Sequence, residues 1–212
     1  MAAFYPVFLD LRGKAVLIVG GGVVAERKVE QLLPAGPAIT LISPEVTPQV
    51  ARWAADGAII HMPRAYEAGD INGASLVIAA TDDVAVNRTV ADAARAERIW
   101  VNAVDDVEYC DFIAPAVVEQ GDITVAVSTG GKSPATARFL RRQLEAFLSA
   151  DFAVLLGIAE EARLRLRREG LRVPSDEWQT ALDGGVLDLV RSGQTAAARE
   201  RLYDNLVHVK VG

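Results

Sequence analysis

The stretch KAVLIVGGGVVA, residues 14–25, decides the fold. Its first half is a short apolar run rich in β-branched residues and bounded by Gly13 and Gly20, the pattern of a strand buried on both faces. Beyond the glycines, Ala25, Val29, Leu32 and Leu33 recur at i, i+4, i+7 and i+8 until Pro34 stops the run, which predicts a helix. The junction matches G-x-G-x-x-A at Gly20, Gly22 and Ala25. Glycine there permits a tight turn and lets a pyrophosphate approach the helix N-terminus, whose free N–H groups and dipole favour negative charge. The competing reading is a glycine-rich turn kept for helix–sheet packing.

Working outward, AITLIS (38–43) reads as a second buried strand, and Thr47 and Pro48 cap and open a helix with Val50, Trp53 and Ala54 on one face. A short strand near 58–62, a stronger one over 75–81, a helix over 85–98 and a strand over 100–105 continue the alternation. This predicts a Rossmann-type α/β fold, an open parallel sheet with helices on both faces, over residues 1–113. After Asp105 the pattern changes. FIAPAVVEQG (112–121) and DITVAVST (122–129) have no helix between them and are expected to pair antiparallel through Gly121-Asp122. Ser133 and Pro134 open an amphipathic helix to about residue 148, the rest reads as helices with turns at 170–175, 184–185 and 193, and the tail HVKVG is expected to be loose. The expected organisation is therefore 1–113, a small antiparallel segment over 114–148 and a helical domain over 149–212.

Composition bounds the function. At 212 residues, 51% hydrophobic and 24% charged, the chain can bury a real core, which excludes disorder and fibre. Lys and Arg number 22 against 28 Asp and Glu, and a net charge of −6 argues against nucleic acid or an anionic membrane as partner. One cysteine and two histidines exclude a disulfide framework or a familiar Cys/His zinc site, so no resident metal is expected. No stretch reaches the roughly 20 apolar residues of a membrane span. The N-terminus MAAFYPVFLDLRGK lacks a basic leader with an apolar run and cleavage site, so a cytoplasmic location is expected.

Candidate site residues follow from position. After the second strand, where an acidic side chain usually takes the adenosine ribose, the chain reads Ser43-Pro44-Glu45. Either Ser43 or Glu45 can do this, and no Arg or Lys directly follows to hold a 2′-phosphate, which favours NAD over NADP; a plain turn before Thr47 fits too. Thr81, Asp82 and Asn102 fall at the carboxyl ends of the fourth and fifth strands, the ligand edge of such sheets. Asp82 or Asp83 serves equally well as a helix cap. Asp105 has no helix to cap and is the better candidate for proton chemistry, against a solvated acidic loop DDVEYCD. Ser128-Thr129-Gly130-Gly131-Lys132-Ser133 is no Walker A loop, because the required first glycine is Ala126. What remains is a polar turn before Arg138, Arg141 and Arg142; Ser128, Thr129, Gly130, Lys132 and Arg138 can receive an anionic substrate, or form a solvated basic face. Nothing nearby marks Cys110 as an activated thiol.

Taken together, FYPVFLDLRGKAVLIVGGGVVAERKVEQLL (4–33), LVIAATDDVAVN (76–87), VNAVDD (101–106) and FIAPAVVEQGDITVAVSTGGKSPATARFLR (112–141) resemble the precorrin-2 dehydrogenase/sirohydrochlorin ferrochelatase family, which also forms the N-terminal module of sirohaem synthase. The resemblance implies NAD-dependent oxidation of precorrin-2 to sirohydrochlorin and, in bifunctional members, insertion of ferrous iron as a substrate. It further implies a homodimer built by the segment after the Rossmann domain and a helical C-terminal domain closing over the tetrapyrrole. By residue matching it implies Asp105 for proton handling, Val23, Val24, Pro44 and Glu45 at the NAD site, and Thr129 where some members carry serine. The methyltransferase half of the fused enzymes is expected to be absent. A rival reading from another class is a dinucleotide-sensing regulatory module that turns nothing over; the helical C-terminus and Ser43-Pro44 weigh against it.

Overall fold

Val16 and Ile18 face one side of strand β1 (Ala15–Val19) and Leu17 and Val19 the other, and all four are buried. A strand covered on both faces needs helices on both faces, and the chain supplies them. In the computed structural model, which describes Phe4–His208, the chain divides between Ala114 and Pro115 into two compact units. Residues 209–212 of the expected loose tail lie outside the described residues.

The first unit is a five-stranded parallel sheet in the order β3-β2-β1-β4-β5, with β2 (Ala38–Ile42), β3 (Ile60–Met62), β4 (Leu76–Ala79) and β5 (Trp100–Ala103). Helices α1 (Val23–Leu32) and α2 (Pro48–Ala55) cover the face of Val16, Ile18, Ile39 and Leu41. Helix α3 (Val84–Ala96) covers the other face through Val90, Ala91 and Ala94. The Thr47 hydroxyl caps α2 by accepting from Val50 N–H, with Pro48 at the first helical position. Between β3 and β4 the crossover is only a 3₁₀ turn, Ala68–Ile71, which seals its end of that face with buried Ile71. The chain leaves β1 for β2 on one side and returns to β4 on the other. This reversal opens a crevice at the carboxyl ends of β1 and β4, where ligands bind in open α/β sheets.

In the second unit β6 (Ala116–Gln120) and β7 (Ile123–Val127) pair antiparallel, turned by Gly121 at φ +57°. β6 starts four residues later than the apolar run from 112 suggested. Pro115 has no N–H for a ladder, and Phe112 packs against the first unit's core. Ser133 caps helix α4 (Pro134–Phe147), which buries none of its residues within the unit. Helices α5 (Ala150–Arg168), α6 (Ser175–Asp183), α7 (Val186–Arg191) and α8 (Thr195–His208) close around Ile158, Leu166, Val186, Leu202 and Leu206.

Candidate functional site

The three glycines after β1 do three different jobs. Gly20 has φ +117°, and a Cβ there would run into the Ala80 carbonyl at the end of β4. Gly21 is packed so closely on the next turn that a Cβ would overlap the Glu45 carbonyl and the Ser43 hydroxyl, while its own carbonyl accepts from Thr47 N–H at 3.0 Å. Gly22 is the N-cap of α1 in an extended conformation, with nothing within 4 Å of where a Cβ would stand and no side chain capping the helix. The first N–H groups of α1 thus open onto free space flanked by exposed Val23 and Val24, where an anionic pyrophosphate can approach the helix end. The residues present fit a dinucleotide.

At the end of β2, Ser43 spends its hydroxyl on the Glu45 carbonyl at 2.7 Å, and its own carbonyl is bonded by His61 Nε2 at 2.9 Å. Pro44 and Glu45 are exposed, so the Glu45 carboxylate is the polar group of this turn that faces solvent. At the end of β4, Thr81 is clamped by buried Asn87: Thr81 N–H and Oγ donate to Asn87 Oδ1 at 3.0 and 2.8 Å, and Asn87 Nδ2 donates to the Thr81 carbonyl at 2.9 Å. Asp83, and not Asp82, caps α3, accepting from Ala85 and Val86 N–H; Asp82 is left exposed at the rim. Sequence reasoning gave Asn87 no role, because a clamp closed across six residues leaves no periodicity.

Asp105 lies one strand further along the same edge. Ala103–Asp106 form a turn closed by Asp106 N–H to the Ala103 carbonyl at 3.2 Å, and Asp105 occupies its third position at φ +62°. That is a left-handed conformation in which a non-glycine residue stores about 1 kcal/mol or more, and such strain collects at functional sites. Its side chain is exposed and makes no hydrogen bond or ion pair among the described residues, whereas neighbouring Asp106 pairs with Arg88 at 2.9 Å. The loop beyond is less solvated than its acidic sequence suggested. Tyr109 lies under the Arg88 and Arg95 guanidiniums, and Asp111 is held by Arg95 at 3.1 Å. Lys28 of α1 is half-buried toward this loop. Burial lowers its pKa, opposed by the field of the Asp105 carboxylate. Its place beside the buried Ala25/Val29 stripe was the one signal in the sequence that could have drawn attention to it.

In the second unit the polar turn is built as expected of a helix entrance. Ser128 Oγ accepts from Gly130 N–H at 3.0 Å, Thr129 Oγ bridges the backbone of Ser133, and Gly130 and Gly131 take φ +61° and +79°. Lys132 and Arg138 are exposed and in no ion pair among the described residues; Arg141 pairs with Glu145 at 3.2 Å. Among the described residues no three His, Cys, Asp or Glu gather as a metal site, and no helix is long and apolar enough to cross a membrane.

Residues 7–116 match the family model described as putative NAD(P)-binding, and residues 120–146 match the one described as sirohaem biosynthesis protein central. The chain belongs to the putative NAD(P)-binding family of the first model, and it carries the shorter segment of the second. It is similar to the siroheme synthase of Thioalkalivibrio sulfidiphilus, 43% identical over 94% of this chain and 41% of that one. It is also similar to the siroheme synthase of Methylobacillus flagellatus, 40% identical over 95% and 44%. The chain thus spans about two-fifths of the length of these curated relatives. The solved structure of "SirC, precorrin-2 dehydrogenase" superposes with a TM-score of 0.74 at 26% identity, covering 94% of this chain and 98% of that one. The parallel sheet, two-stranded sheet and helical C-terminal region are those of the SirC fold. As an NAD(P)-binding family member the chain takes a nicotinamide dinucleotide, which the open N-terminus of α1 fits.

Proposed function

We propose that this chain oxidises precorrin-2 to sirohydrochlorin with NAD as the hydride acceptor. The observation that carries the reading is the likeness to SirC over nearly the whole of both chains. The first N–H groups of α1 beyond Gly22 would hold the pyrophosphate, flanked by Val23 and Val24, with Gly20 and Gly21 giving the turn its shape. Glu45, exposed after β2, would take the adenosine ribose hydroxyls. With an acid there and no cation directly following, a 2′-phosphate would be repelled, and NAD is preferred over NADP. Thr81, Asp82 and Asn102 form the rim at the ends of β4 and β5. Bound nicotinamide supplies the electrophilic carbon that accepts a hydride. The oxidation also releases a proton, and we assign the exposed Asp105 carboxylate as its acceptor. Ser128, Thr129, Gly130, Lys132 and Arg138 are assigned to the substrate's carboxylates, with Lys132 and Arg138 supplying local positive charge on a protein of net charge −6.

The test is spectroscopic. Protein, NAD and precorrin-2 together should give NADH and the sirohydrochlorin chromophore in equal amounts, and NADP should support a kcat/KM at least about tenfold lower. Binding of NAD without turnover would favour the sensing-module reading instead. Adding ferrous iron reads the chelatase activity directly, as a sirohaem spectrum forming faster with protein than without.

The second unit supports a homodimer. A two-stranded sheet is marginal by itself, and amphipathic α4 buries nothing within the unit, leaving Phe139, Leu140 and Phe147 exposed together with Val117 of β6. A second copy would cover this face. In a two-fold interface each residue counts twice. Since burying one phenylalanine contributes about 2 kcal/mol, Phe139→Asp should weaken the dimer by about a thousandfold or more. Sedimentation should then show 22.6 kDa chains where the wild type sediments at twice that mass; a wild-type monomer would refute the dimer.

A further inference from the structure

Asn102 stands at the rim where a cofactor contact is easy to imagine, yet the residue is only 7% exposed and its amide is spent elsewhere. Nδ2 donates to the Phe112 carbonyl at 2.9 Å and to Cys110 Sγ at 3.3 Å. The Cys110 thiol in turn reaches the carbonyls of Ala103 at 3.1 Å and Asp106 at 3.3 Å, one on each side of the Asp105 turn. The backbone is tied at the same place. Cys110 bridges antiparallel to Asn102, Asp111 N–H donates to the Val101 carbonyl at 2.8 Å, and the Asp111 carboxylate accepts from Val101 N–H at 3.2 Å. Burial pushes the Cys110 thiol pKa up, so the sulfur keeps its proton at neutral pH and remains a donor.

We infer that Asn102 is a positioning residue: with the Cys110 thiol it pins the returning loop so that the strained turn holds Asp105 at the sheet edge, and it does not act by touching the dinucleotide. The inference rests on the dehydrogenase reading for its link to rate, and on the hydrogen bonds alone for its link to structure. A turn carrying a left-handed aspartate relaxes unless its surroundings over-determine it. Here the surroundings are two carbonyls bracketing Asp105, one shared thiol proton and one buried amide.

Two readouts separate this role from a cofactor contact. In full-length Asn102→Ala, kcat for precorrin-2 should fall about tenfold, as a sub-ångström misplacement costs, while the NAD dissociation constant stays within about twofold of wild type. Hydrogen exchange at the Asp106 amide, measured without substrate, should become faster. Cys110→Ala should show the same pattern more weakly, and Cys110→Ser, which restores a hydroxyl donor, should recover part of the rate; this pair decides the matter if Asn102→Ala does not fold. Weakened NAD binding with normal kcat, or unchanged Asp106 exchange in these variants, overturns the inference. If wild-type protein fails to oxidise precorrin-2, the dehydrogenase reading falls, and the exchange data still decide whether Asn102 and Cys110 hold the turn.

Discussion

Asp105→Asn is expected to lower kcat for precorrin-2 oxidation by about 10²–10⁴-fold, the range general-base catalysis contributes, with NAD binding unchanged. The substitution isolates the proposed proton acceptor. Asparagine has the size of aspartate and tolerates the left-handed φ of +62° equally well. The side chain makes no hydrogen bond or ion pair among the described residues whose loss would disturb the fold. The thermal midpoint should therefore stay within about a degree of wild type. Asp105→Val provides the contrast. A β-branched residue at that φ adds roughly 1–2 kcal/mol of strain, so the midpoint should drop by several degrees in addition to the loss of rate. Full turnover in Asp105→Asn would remove Asp105 from the proton transfer, and unchanged stability in Asp105→Val would contradict the turn geometry.

That Asp105 could be singled out from sequence, whereas the structure that holds it could not, has a physical cause. The strands were legible because alternate residues on both faces of β1, β2 and β4 are apolar, and burial on two faces leaves a continuous hydrophobic run. Helix starts were legible because Thr47, Ser133 and their following prolines act within four residues. The 3₁₀ crossover at Ala68–Ile71 was not. Its fixing contacts are a reciprocal Glu67–Asp70 box and the Arg64–Asp70 pair, all polar and without period. The same holds for the site. Gly20 and Gly22 are visible as a motif, but Asn87 on Thr81 and Asn102 on Phe112 act across six and ten residues through single amides, and a buried amide looks in sequence like any other asparagine. Gly21 carries no such signal because the motif leaves its position free, although the Ser43–Glu45 turn occupies the space a Cβ would take there.

Substitution in the glycine turn should separate folding from cofactor binding one residue at a time. Gly22→Asp is expected to weaken NAD binding by about a hundredfold or more and to leave stability equal or slightly raised. Gly22 is extended at φ −78°, an angle any residue adopts, and the space around it is open, so the new side chain meets no obstacle. At the N-cap an aspartate carboxylate accepts from the first N–H groups of the helix and favours the dipole, which is worth a few tenths of a kcal/mol relative to glycine. Those are the donors a pyrophosphate requires. The carboxylate therefore takes the ligand's place at the end of α1 and repels what remains of its charge. Gly20→Ala should do the opposite kind of damage. At φ +117° and against the Ala80 carbonyl, its Cβ must push β1 and β4 apart, and the thermal midpoint should fall by several degrees before any ligand is added. Calorimetric titration of NAD beside a melting curve for each variant reads both effects. A Gly22→Asp protein that binds NAD as tightly as wild type would refute the assignment of the α1 N-terminus as the pyrophosphate site, and an unperturbed Gly20→Ala protein would refute the close approach of β1 to β4.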